Sequence, residues 1–243
     1  MSSRRFTLDD PPFAGLTGDG VRVAVIDSGV HPANPHIGAA RISGVHIGAD
    51  GEIDDDVVDR IGHGTAVAAA ILEKAPGIEL VVVRVFDWTL ATSGAVLARA
   101  ITWAAEHGAR VINLSLGTSN PTRAATLGAA VGDAGAAGAI VVSARELDGV
   151  HWLPGSLPNV VGVTLDASCD RNDVVVTVDP VTSTVGLAAS GYPRPIPGVP
   201  VERNLSGISF AVANATGFLA RLLERDQTLR AVSDLARRLR AET

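Results

Sequence analysis

Three short segments each set a residue capable of acid–base or nucleophilic chemistry beside glycine. In Val23-Ala24-Val25-Ile26-Asp27-Ser28-Gly29 a hydrophobic run ends in an acid, at the kind of strand end where open α/β sheets build their sites. In Gly62-His63-Gly64-Thr65 a histidine stands between two glycines at a helix start, an arrangement that leaves its ring open to act as a general base. In Gly207-Ile208-Ser209-Phe210-Ala211 a serine opens a helix, where unpaired backbone N–H groups and the dipole favour developing negative charge. Singly, an Asp after a strand reads as a turn former and a Gly-His-Gly as a loop. Together they supply an acid to orient an imidazole, the imidazole, and a hydroxyl for it to activate.

The elements that must position these residues follow from periodicity. Val21–Ile26, Leu80–Phe86, Val111–Leu116, Ala139–Val142 and Val160–Leu165 are short, β-branched apolar runs of the kind buried in parallel sheets. Between them, Ser93–His107 reads as a helix ended by Gly108, Arg123–Ala134 as one ended by Gly135, and Thr65–Lys74 as one halted before Pro76. Alternating βα units imply an α/β fold with helices on both faces of a parallel sheet. Gly186–Pro200 is rich in Pro and Gly and reads as a loop leading to Ser209. Ala211–Glu224 regains helical pattern, and Gln227–Arg240 is amphipathic, with Leu229, Val232, Leu235 and Leu239 on one face. No repeat, low-complexity tract or linker interrupts residues 1–243, which are expected to form one domain.

The order Asp27, His63, Ser209 with these flanks resembles the subtilisin family of serine peptidases. Val111-Ile112-Asn113-Leu114-Ser115-Leu116-Gly117 resembles the family segment that lines the primary specificity pocket, and Leu153–Val163 is similar to its later Pro-Gly pattern. The resemblance implies a three-layer subtilisin-like fold with a mostly parallel sheet. It also implies that Asp27, His63 and Ser209 form a catalytic triad, and that Ser115, Leu116 and Gly117 bind the substrate backbone as an added strand.

The sequence departs from the family pattern in four places. Where the family has Ala-Gly-Asn, with the Asn binding the oxyanion, the chain reads Ser143-Ala144-Arg145-Glu146, so Arg145 becomes the candidate substitute donor. The calcium loop that usually follows the histidine helix is replaced by Ala75-Pro76-Gly77, so no metal or other cofactor is expected. The acids Asp54, Asp55, Asp56 and Asp59 read as a solvated loop. A proline common beyond the nucleophile is absent from Ala211-Val212-Ala213-Asn214, a change that leaves the helix intact. No apolar signal core or inhibitory pro-region is recognised ahead of Asp27.

Bulk properties bound the partners. With 47% hydrophobic residues the chain can bury a large core, and a net charge of −6 without Lys/Arg runs argues against nucleic acid and membrane surfaces. The lone Cys169 cannot form an internal disulfide and is expected to be a packed small residue; it suits a reducing cytoplasm. His31, His36, His46, His107 and His151 lack a catalytic context. The expectation is a cytoplasmic serine endopeptidase acting on peptides or unfolded segments, for instance in trimming a precursor. The alternatives are a catalytically impaired peptide-binding module, suggested by Arg145 and Glu146, and a ligase, disfavoured because no water-shielding insertion is present.

Overall fold

The computed structural model describes residues 2–38 and 40–242. In chain order the elements are β1 (Ser2–Thr7), β2 (Arg22–Asp27), β3 (Arg41–Ile47), β4 (Ile53–Asp54), α1 (His63–Lys74), β5 (Glu79–Arg84), α2 (Gly94–Glu106) and β6 (Val111–Leu114). They continue as α3 (Ala124–Ala136), β7 (Ile140–Leu147), β8 (Val150–His151), β9 (Val160–Leu165), β10 (Asp173–Val178), β11 (Val185–Ala189), α4 (Ile208–Arg225) and α5 (Val232–Arg240). The strands form one sheet ordered β1-β10-β11-β9-β7-β6-β2-β5-β3-β4, with β8 hairpinned onto β7. From β11 across to β3 every pairing is parallel; β1, β10 and β4 extend the edges antiparallel.

The central strands read as continuous apolar runs because both of their faces are covered, so successive side chains enter different cores. Val23 and Val25 of β2, Val82 of β5 and Val142 of β7 pack with α1, α4 and α5. Ala24 and Ile26 of β2, Val83 of β5 and Val141 of β7 pack instead with α2 and α3. Helix α4 is buried along most of its length, which explains why its sequence lacks a polar stripe.

Where the sequence reading and the structure differ, local physics accounts for it. Strand β1, Ser-Ser-Arg-Arg-Phe-Thr, carries little apolar signal, yet it pairs along β10 and drives Phe6 into the core, edge-to-face with Phe13, which stacks in the same manner on Phe218. The stretch expected to be loop from Gly186 begins inside β11, whose small residues pair with β9 and β10 and alternate between buried and half-buried. Helix α3 runs past Gly135 and ends before Gly138, whose φ of 80° supplies the left-handed turn. Gln227–Thr228 lie outside the last helix, which starts at Val232 and buries Val232, Leu235 and Leu239 as its amphipathic spacing requires.

Phe218 is 1% exposed and holds α4 to the β1 side of the core through Phe13. Phe218→Ala should destabilise the fold by about 3–5 kcal/mol, read as a lower denaturation midpoint with unchanged m in a urea titration.

Candidate active site

Asp27 is the last residue of β2, in the middle of the parallel region, and its side chain is fully buried. His63 is the first residue of α1 and places Nδ1 2.8 Å from Asp27 Oδ1, with 17% of its side chain exposed. The two flanking glycines do different work from the access inferred above. Gly62 adopts φ of 92°, a left-handed turn into the helix. At Gly64 a Cβ would lie 2.2 Å from the Gly29 carbonyl oxygen and 3.2 Å from the Asp27 Cβ, so only glycine lets α1 begin against the end of β2. Burial disfavours the imidazolium, but the hydrogen bond and charge of Asp27, helped by Asp59, outweigh it and hold the His63 pKa above its ordinary value.

Asp59 was assigned to a solvated acidic loop; it is instead 9% exposed and turned into the protein. Its Oδ1 accepts hydrogen bonds from the Ser28 hydroxyl (2.9 Å) and the N–H groups of Ile61 and Gly62 (2.9 and 2.8 Å). Its Oδ2 accepts from the Thr65 N–H and hydroxyl (2.8 and 2.6 Å). The Ser28 hydroxyl in turn accepts from the Gly64 N–H at 2.9 Å. Burial alone would raise the Asp59 pKa, but these bonds bring it below the usual carboxylate value. One carboxylate thus ties the residue after Asp27 to the first turn of the helix that carries His63. The spacing Asp59-x-x-Gly62-His63-Gly64-Thr65 was the available signal, masked by three neighbouring acids. Those neighbours go elsewhere: Asp54 pairs with His46, and Asp56 with Arg60 and Arg84. Among the described residues no group of three or more His, Cys, Asp or Glu side chains is placed to hold a metal ion.

Ser209 is the second residue of α4. Its hydroxyl donates to the Ser115 carbonyl at 2.9 Å, and the Ser115 hydroxyl donates to the Ser209 carbonyl at 3.0 Å. This reciprocal pair is backed by Asn113, whose amide donates to Ser115 Oγ at 3.0 Å, and by Thr216, whose hydroxyl donates to Asn113 Oδ1 at 2.9 Å. Asn113 and Thr216 are completely buried and were not singled out from sequence, since a polar residue inside an apolar strand or helix says nothing of its partner. His63, Ser115, Leu116, Gly117 and Ser209 share one cavity of about 270 Å³, completed by Phe86, Leu90, Ala144, Leu147, Trp152 and Ile208. Next to Gly117, Thr118 and Leu153 form an antiparallel bridge that a Cβ on Gly117 would obstruct, at 2.6 Å from the Leu153 carbonyl oxygen.

His63 and Ser209 thus line one cavity at the carboxyl edge of a parallel sheet, with Asp27 buried behind His63. Residues 18–149 fit the model of the Subtilase family. The chain is 32% identical over 216 residues to Subtilisin Savinase of Lederbergia lenta, covering 83% of this chain and 72% of Savinase. It belongs to the subtilase family of serine peptidases. Some other curated relatives are longer, and the chain spans about half (51%) of three of them. A cold-adapted subtilisin-like serine proteinase superposes with a TM-score of 0.70 at 24% identity, covering 93% of this chain and 83% of that one. The prenylagaramide maturation protease PagA superposes with a TM-score of 0.65 at 24% identity, covering 88% and 79%. The three-layer subtilisin-like architecture expected from sequence is therefore the observed one.

The structure gives the subtilase oxyanion departure a definite form. Where the family breaks its strand for the Asn, β7 continues through Arg145 and Glu146 into a hairpin with β8, and Glu146 faces His151 at 3.6 Å. Arg145 is exposed and lies over Gly162, with its guanidinium near Gly186, lining a separate cavity with Thr184 and Val185. It is absent from the walls of the His63–Ser209 cavity. Ala144 and Leu147 line the cleft, while Arg145 sits at the register shift between Ala144 and Glu146 and is turned away, over Gly162 of β9. Trp152, unremarked in the sequence, lines the cleft instead, and its buried indole N–H has no acceptor among the described residues.

Because Asp27 is the nearer and Asp59 the more distant source of the raised His63 pKa, their removal should be graded. Nuclear magnetic resonance titration should place the His63 imidazole above its ordinary pKa of about 6.5. The value should fall strongly in Asp27→Asn and less in Asp59→Asn.

Proposed function

We propose that the chain hydrolyses peptide bonds, with Ser209 as nucleophile, His63 as general base and acid, and Asp27 as the group that orients and charges the imidazole. The observation that carries this reading is the 2.8 Å contact between Asp27 and His63 at the rim of the cavity that also holds Ser209. With Nδ1–H committed to Asp27, the other ring nitrogen is left unprotonated, in the tautomer a base requires. In this reading the Ser209 hydroxyl, which in the structure donates to the Ser115 carbonyl, turns to that nitrogen for the reaction. As Oγ attacks the substrate carbonyl carbon, its proton passes to His63, and the raised imidazole pKa stabilises the imidazolium beside the anionic tetrahedral centre. Collapse of that centre breaks the C–N bond, and the same proton leaves with the amine; water then repeats the sequence on the acyl-enzyme.

For the oxyanion, the Ser209 N–H at the start of α4 is the donor the geometry supports, because the first N–H groups of a helix lack intrahelical acceptors and sit at the positive end of its dipole. Ser115, Leu116 and Gly117 leave β6 and run along the cavity, where an extended peptide can pair with their backbone. Peptides and unfolded segments are the substrates this mode supports. Processing of a precursor peptide inside the cell is part of the same reading: the single cysteine, Cys169, is buried beneath a thiol pKa raised by burial to about 11, and suits a reducing compartment. No helix among the described residues is long and apolar enough to cross a membrane.

A fluorophosphonate probe decides between hydrolysis and mere peptide binding. Wild type should label and Ser209→Ala should not; absence of labelling in the wild type at saturating probe overturns the reading. Ser209→Ala or His63→Ala should lower kcat by about 10⁶-fold, the size found in subtilisin, since the residues act as a unit. Ser115→Ala should cost far less, about tenfold, because it removes only the two neutral hydrogen bonds of that hydroxyl, to the Ser209 carbonyl and from the Asn113 amide.

A further inference from the structure

Arg84 interrupts the apolar run Val81-Val82-Val83-Arg84-Val85, ends β5 and is 3% exposed. A guanidinium is costly there unless it is bonded, so its partners show what it is kept for. In the sheet it is the registered neighbour of Asp27 on β2, and strand alternation turns both toward the face of Val25 and Val82, which α1 covers. Among the described residues it nevertheless forms no ion pair with Asp27. Its Nε donates to the Asp56 carbonyl at 2.7 Å, Nη1 donates to Asp87 Oδ1 at 2.8 Å, and Nη2 reaches Asp56 Oδ2 at 3.4 Å. Beyond these partners, Asp87 Oδ1 lies 3.4 Å from His46 Nε2, His46 Nδ1 lies 2.9 Å from Asp54, and Asp56 also pairs with Arg60.

Asp56 opens the short stretch that delivers Asp59, and that stretch is laid against the turn after Asp27. The Val30 N–H donates to the Val57 carbonyl at 2.8 Å, and the Asp59 N–H donates to the Val30 carbonyl at 3.3 Å. Gly29 makes the approach possible. With φ of 103°, it holds a place where a Cβ would lie 2.5 Å from the Val57 carbonyl oxygen, 3.0 Å from the Asp59 nitrogen and 3.1 Å from Arg84 Cδ. The arginine, the stretch that carries Asp59 and the turn after Asp27 therefore meet at one glycine. We propose that Arg84 is a positioning residue for His63, acting through Asp56 and Asp59. Its fork holds the Asp56 end of the stretch, so that the Asp59 carboxylate reaches Ser28 and the first turn of α1; without the fork that carboxylate draws away from the imidazole. A lysine ammonium keeps the charge but not the planar set of donors that bonds Asp56 and Asp87 together. The catalytic consequence rests on the peptidase reading above, whereas the effect on the imidazole does not.

The sign of one shift separates positioning from plain electrostatics. Deleting a nearby cation by itself raises the pKa of a histidine, whereas withdrawing a nearby carboxylate lowers it. In nuclear magnetic resonance titrations of the full chain, the His63 pKa should therefore fall in Arg84→Leu, by no more than it falls in Asp59→Asn. Adding Arg84→Leu to Asp59→Asn should lower it no further, because both changes act through one carboxylate. Arg84→Lys should lower it as well, and it carries the test if the leucine variant does not fold. A rise or an unchanged value in folded Arg84→Leu, an unchanged value in Arg84→Lys, or a further fall in the double variant overturns the inference. Fluorophosphonate labelling of the wild type and the acid limb of kcat/KM are read alongside, and where the chain labels, that limb should move to lower pH together with the ring. A falling imidazole pKa without labelling leaves Arg84 in its role and removes the peptidase reading, whereas labelling with an unmoved imidazole does the reverse.

Discussion

The site depends on bringing the first residue of one helix against the last residue of one strand without water between them. A buried carboxylate such as Asp27 is costly unless its charge is matched, and here it accepts from the Ser28 N–H and from His63, both on Oδ1, while Oδ2 has no partner among the described residues. The contact exists only because Gly64 has no side chain and Gly62 tolerates a left-handed turn, so the helix starts flush with the Asp27–Gly29 backbone. Asp59 closes the arrangement from behind. By bonding Ser28, Ile61, Gly62 and Thr65 together it makes the end of β2 and the start of α1 a single unit. A hydrogen-bonded buried carboxylate of this kind rigidifies when every acceptor position is used.

The serine side is organised on a different principle. Ser209 belongs to a helix buried almost throughout, so its backbone is fixed by packing, and the Ser115–Ser209 pair of mutual hydrogen bonds fixes it to the end of β6. Thr216 and Asn113 carry that connection through the core between α4 and the sheet. The imidazole is therefore positioned by buried carboxylates at the start of α1, the hydroxyl by a neutral network. Both converge at the carboxyl ends of β2 and β6 because adjacent parallel strands end together, the general reason such sheets concentrate sites at that edge.

Much of this was readable beforehand, and the unreadable parts share a cause. The buried strands announce themselves as β-branched runs, Ser93 caps α2 as its hydroxyl suggests, and Asp27, His63 and Ser209 stand out because each breaks an apolar pattern beside glycine. Strand β1 was missed because an edge strand needs only one covered face, shown in β1 by Phe6 alone, whereas β10 lies between β1 and β11 and its Val174–Val176 run was a legible signal left unread. Asp59, Asn113 and Thr216 were missed because their meaning lies in partners distant in the chain or in a backbone turn. Arg145 was misplaced because β7 carries a register shift between Ala144 and Glu146 and runs on to a hairpin at Asp148–Gly149, whose Asp-Gly pair was a turn signal in the sequence that the reading did not use.

The same hairpin shapes the chemistry. In a subtilase the Asn amide lost here is worth on the order of 10²–10³ in kcat, against about 10⁶ for the nucleophile and base acting together. Losing the lesser term leaves most of the acceleration, provided that Asp27, His63 and Ser209 keep their relation, and the hydrogen bonds around Asp59 and Ser115 are what keep it. The continued strand also removes a polar side chain from the cleft and leaves Ala144, Leu147 and Trp152 on that wall. Apolar walls of this kind lower the local polarity beside His63, and low polarity strengthens charge interactions such as its contact with Asp27. On the proposed mechanism the Ser209 N–H is then the donor left to the oxyanion, in a cleft walled by Ala144, Leu147 and Trp152.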